Sequence, residues 1–71
     1  MMPTTPGARI RALRKERGFT QVTFAAAVSV TQPAVSQWEQ DNYLPAGPLR
    51  LVVAESLGTS VDYLFGEQVA S

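Results

Sequence analysis

The chain has 71 residues, with six cations balancing six acids and neither cysteine nor histidine. A chain this short buries only about 60% of the surface its unfolded form exposes, so a large catalytic cleft is not expected. Disulfides, a thiolate metal site and a nucleophile served by a histidine base are all excluded by composition.

No apolar run approaches the roughly 18 residues of a membrane span, and MMPTTPG lacks the basic and apolar regions of a signal peptide. The expectation is one soluble, cytosolic domain over 1–71, with a core at about 7–66, loosely attached ends at 1–5 and 67–71, and no cofactor or metal. Net charge is zero, but it is unevenly spread. Residues 1–38 carry Arg9, Arg11, Arg14, Lys15 and Arg17 against Glu16, a net of +4, and the remainder carries Arg50 against Glu39, Asp41, Glu55, Asp62 and Glu67, a net of −4. Such polarity orients a molecule in a phosphate field without strong overall attraction, although a basic run is also what a solvated helix face looks like.

In chain order, Thr5 is placed to cap a first helix with Pro6 at its first position, running to about Arg17. Gly18 suits the left-handed site that ends it, with Phe19 turned back on the last turn. Thr20 then caps a second helix, and Phe19 and Phe24 flank that cap as a hydrophobic staple. Val30, Thr31 and Val35 repeat the arrangement for a third helix. Phe24, Ala25 and Val28 share one face of the second helix, and Val35 and Trp38 share one face of the third. Only about three residues separate the two, so they cross as a helix-turn-helix. The methyl of Ala25 permits close approach.

Asp41 and Asn42 tolerate turn geometry, so QDNYLPAGP reads as a loop. A fourth helix follows over about Pro48 to Leu57, with Leu49, Val52, Val53 and Leu57 inward and Gly58 beyond its end. Ser60 caps a short fifth helix with Asp62 in its first turn. Val61, Leu64 and Phe65 face inward or towards a partner. The fold class expected is all-α, five helices and no strand.

These residues resemble the Cro and lambda-repressor-like helix-turn-helix domains, the XRE family. The resemblance rests on Ile10, Leu13, Arg14, Thr20-Gln21, Ala25, Val28, Val30, Val35, Trp38, Glu39, Pro45, Leu57-Gly58 and Leu64, and covers roughly 7–66. Ser29 departs from it, standing where the family usually has glycine. Arg50 stands where a leucine is common.

In this geometry the second motif helix enters the major groove of double-stranded DNA, so its outward residues read bases. On Thr31 to Glu39 those are Gln32, Pro33, Ser36 and Gln37. A glutamine amide sets a donor beside an acceptor and matches adenine N6 and N7. Pro33 serves either to initiate the helix or to meet a thymine methyl. Trp38 could serve as a stacking platform for single strands, but its spacing with Val35 reads as core.

The resemblance further implies that Gln21 meets a DNA phosphate, with Thr20, Thr31, Asn42 and Tyr43 as other backbone contacts, and that Arg14 pairs with Glu39. A sequence-specific transcription regulator of repressor type follows, acting as a homodimer that reads two half-sites. Tyr63, Leu64, Phe65 and Val69 are the candidates for its interface. The alternative is a protein-interaction module, such as an antitoxin or an adaptor, on the same fold.

Overall fold

The structure is a computed structural model that describes residues 4–66. Five helices follow in order: α1 (Pro6–Glu16), α2 (Gln21–Ala27), α3 (Gln32–Glu39), α4 (Leu49–Ser56) and α5 (Val61–Phe65). No strand occurs among the described residues. The expected all-α, five-helix fold is therefore what the chain adopts.

Four of the helices begin at a hydroxyl. Thr5, Thr20, Thr31 and Ser60 each accept the N–H of the residue three further on, supplying a partner that the first helical turn lacks. At α2 the arrangement is reciprocal, because the Thr23 hydroxyl accepts the Thr20 N–H at 2.9 Å and completes a capping box with threonine in place of the usual acid. The exception is α4, whose N-cap is Pro48, with no side-chain cap.

Four helices end alike. Gly18, Ser29, Asp41 and Gly58 stand just past α1 to α4 with φ of 80°, 60°, 59° and 68°. After each, the next N–H returns to a carbonyl five residues back: Phe19 to Arg14, Val30 to Ala25, Asn42 to Gln37 and Thr59 to Ala54, at 2.9 to 3.1 Å. This turn points the chain into the next helix. Ser29 adopts the left-handed geometry without the freedom of glycine.

The core gathers Ile10 from α1, Phe24, Ala25 and Val28 from α2 and its end, Val35 and Trp38 from α3, Val53, Ala54 and Leu57 from α4, and Leu64 from α5. α3 packs against both α1 and α2, while α5 packs against α1 and α4. The Phe19 and Phe24 rings lie 5.5 Å apart and tilted by 56°, the staple expected at the start of α2.

Two details of α4 differ from the sequence reading. Val52 is exposed, and the buried residues are Val53, Ala54 and Leu57. A face centred on Val53 and Leu57, one turn apart, leaves Val52 on the outer flank. Pro48 precedes the helix as its cap. At the other end of the fold, Gly7 presses on α3. Its N–H donates to Asp41 Oδ1 at 2.8 Å. A Cβ there would overlap both the Trp38 carbonyl oxygen and the Asp41 carboxylate.

Candidate nucleic-acid interface

The candidate site is the outer face of α3 and the two turns that flank it. Because Val35 and Trp38 are buried, Gln32 and Pro33 are left exposed and Ser36 and Gln37 half-buried on the opposite side. Pro33 lies in the first turn, where its missing N–H breaks no helical bond.

Behind this face lies a chain of hydrogen bonds that begins at a buried ion pair. Arg14 Nε donates to Glu39 Oε2 at 2.6 Å and Arg14 Nη2 to Glu39 Oε1 at 3.2 Å, a two-point fork between helices 25 residues apart in sequence. Both side chains are nearly buried, at 8% and 5% exposure. Arg14 Nη1 also donates to the Phe19 carbonyl at 2.9 Å, which ties the turn before α2 to the same pair.

Glu39 Oε1 accepts in addition from Gln21 Nε2 at 3.1 Å, and Gln21 Oε1 accepts from Gln32 Nε2 at 2.7 Å. The order of donors is dictated by chemistry. A carboxylate only accepts, so Gln21 turns its nitrogen to Glu39 and its oxygen to Gln32, and Gln32 in turn offers its nitrogen inward. What Gln32 leaves outward is its Oε1 and the second N–H of its Nε2.

The other end of α3 is wired separately. Asn42 Nδ2 donates to Gln37 Oε1 at 2.6 Å, and Gln40 Nε2 donates to Ser36 Oγ at 3.0 Å. Gln32, Ser36 and Gln37 are thus each held by one side-chain bond and keep part of their hydrogen-bonding capacity. Thr20 and Thr31 use their oxygens as caps. Tyr43 is exposed in the loop after α3.

Only part of the sequence's positive charge is free at the surface. Arg9 and Arg14 are buried. Arg9 donates to the Tyr63 and Thr4 carbonyls at 3.3 Å and lies over the Tyr63 ring. Arg50 donates to the Pro45 carbonyl at 3.1 Å and stacks on Phe65. The exposed cations are Arg11, Lys15 and Arg17.

Among the residues expected at a dimer interface, Leu64 is fully buried in the core, which removes its side chain from any partner's reach. Tyr63 is 39% exposed, Phe65 is half-buried under Arg50, and Val69 lies outside the described residues. Leu51 and Val52 on α4 are 55% and 41% exposed, Val52 against the expectation that it faces inward. The sequence reading also missed the roles of Gln21 and Asn42 as supports of the reading glutamines. Side-chain hydrogen bonds of this kind carry no periodic signal, so nothing in the sequence marked them.

A family model described as helix-turn-helix matches residues 10–64. The immunity repressor of Bacillus phage phi105 is 38% identical over 64 residues, covering 90% of this chain and 44% of that protein. Repressor protein C2 of Salmonella phage P22 is 40% identical over 58 residues, covering 82% of this chain and 27% of that protein. The chain thus spans less than half the length of these two relatives. The crystal structure of the P22 c2 repressor in complex with a synthetic operator superposes with a TM-score of 0.84 at 37% identity, covering 90% of this chain and 98% of that one.

Proposed function

Since the chain belongs to the lambda-repressor-like helix-turn-helix family, we propose that it binds double-stranded DNA sequence-specifically as a transcription regulator of repressor type. α3 lies in the major groove and α2 crosses the phosphate backbone. The observation that carries the reading is the outer face of α3, where four side chains with base-matching chemistry stand on a helix whose opposite side is locked in the core. The likeness to an operator-bound repressor supports the same orientation.

Gln32 reads one base, because the Oε1 and N–H left outward by the relay fit adenine N6 and N7. Pro33 offers the groove an apolar ring and no donor, which suits a thymine methyl. Gln21 holds Gln32 with its side chain, while its backbone N–H, at the positive end of α2, faces a phosphate. Thr20 and Thr31 at the helix starts, and Asn42 and Tyr43 in the loop after α3, meet the DNA backbone and set register without specifying sequence.

A homodimer completes the site. One copy reads only a few base pairs, whereas two related by a two-fold axis read half-sites about 34 Å apart. Tyr63 and Phe65 on α5 form its contact, joined by the exposed Leu51 and Val52 on α4.

Selection of bound duplexes from a random pool tests this function. The expected product is an inverted repeat with half-site centres one helical turn apart. A pool that emerges unenriched, while the chain still captures an unrelated protein, would favour the interaction-module alternative.

A further inference from the structure

The two reading glutamines of α3 are held by opposite ends of their amides. Gln32 gives its nitrogen to Gln21, so an oxygen faces outward, whereas Gln37 gives its oxygen to Asn42, so a nitrogen with both hydrogens faces outward. The polarity at Gln37 follows from Asn42's place in the fold. Asn42 stands just beyond the carbonyl end of α3, and its own N–H is bound to the Gln37 carbonyl at 3.1 Å. The negative end of the helix favours the nitrogen of the Asn42 amide over its oxygen on that side. At 2.6 Å the bond is short.

We infer that Asn42 is a specificity-determining positioning residue. It fixes Gln37 as a donor and thereby directs it to a keto base, guanine through O6 and N7 or thymine through O4, in preference to adenine or cytosine. This rests on the DNA-reading function proposed above and adds a discrimination that a freely rotating glutamine lacks, since an unheld amide serves adenine as readily. Asn42 itself acts through Gln37 and touches no base. Ser36, which accepts from Gln40 and keeps its O–H proton free, offers a donor on the same half of the helix.

The test is a comparison of base preference among variants on duplexes from the selected site. Gln37→Ala first locates the base pair that residue 37 reads, as the position whose preference it flattens. At that pair, wild type is expected to lose about tenfold in affinity when the carbonyl oxygen is deleted, with 2-aminopurine for guanine or 5-methyl-2-pyrimidinone for thymine. Asn42→Asp places an acceptor beside Gln37, which draws the amide nitrogen inward and turns the oxygen to the groove. The ranking should then reverse towards adenine and cytosine, with overall affinity set aside by taking ratios. Asn42→Asp added to Gln37→Ala should leave the ranking flat.

Asn42 is exposed and Gln37 lies outside the core, so all three variants are expected to fold, and equal melting temperatures verify it. A wild-type preference for adenine or cytosine at that pair, or an unchanged ranking in Asn42→Asp, overturns the inference while leaving groove reading intact. If no duplex is preferred and Gln37→Ala changes nothing, the DNA-reading function itself fails.

Discussion

Glu39 has three hydrogen bonds on its carboxylate, two from Arg14 and one from Gln21, and through Gln21 it sets the orientation of a glutamine at the far end of its own helix. Stability and recognition therefore meet in one carboxylate. Removing one member of a buried pair strands the other charge, so Arg14→Ala should cost about 3–5 kcal/mol, whereas Arg11→Ala, at an exposed site, should change stability by less than about 0.5 kcal/mol. Urea unfolding of the two variants measures the difference, and similar midpoints would contradict the burial of the pair. The pairing of Arg14 with Glu39 was legible through the resemblance. The burial of Arg9 was not, because it depends on carbonyls of Tyr63 and Thr4 that only the folded chain brings together. The amide orientations of Gln21 and Gln32 were equally invisible, since each is decided by a residue on another helix, and those of Gln37 and Asn42 because a side-chain bond leaves no mark in the spacing of apolar residues.

The hydroxyl caps, the staple of Phe19 and Phe24 and the left-handed ends could be read in advance among the helices, because each depends on residues within one or two turns. Thr5, Thr20, Thr31 and Ser60 start helices where hydroxyls were expected to, and Ser29 takes the left-handed site in which glycine is usual. Ser29→Gly should accordingly raise stability by about 0.5–1 kcal/mol, as relief of strain outweighs the added freedom of the unfolded chain. A higher midpoint in thermal melting is the expected result, and a lower one would mean the serine contributes more than its backbone angle shows. Gly7→Ala should act in the opposite direction and more strongly. Its methyl meets the Trp38 carbonyl, which is backbone and cannot swing aside, so the start of α1 must lift from α3. Thermal melting is again the check, with a fall of several degrees expected. The register of α4 was less legible. Leu51, Val52 and Val53 are consecutive aliphatics, and periodicity alone does not choose which of them faces in.

Across the whole molecule the charge is balanced, and half of its six cations lie buried or tied to other groups. Arg11, Lys15 and Arg17 are the exposed ones, so binding to a duplex should weaken with salt along a shallow slope of log affinity against log concentration, about −3 if all three meet phosphates. A titration across a salt series gives the slope. Complete indifference to salt would exclude phosphate contact as a basis of binding. Such a domain relies on the shape and hydrogen bonding of its reading helix more than on bulk attraction. The most direct measurement is therefore the base preference of Gln32→Ala and Gln37→Ala, each profiled against every single-base variant of the selected site. Both variants should keep the melting temperature of the parent, because neither side chain enters the core. Each should lose about 1–3 kcal/mol on the preferred site and flatten preference at a different base pair. Folded variants that retain the full preference of the parent at every position would place the reading surface somewhere other than the outer face of α3.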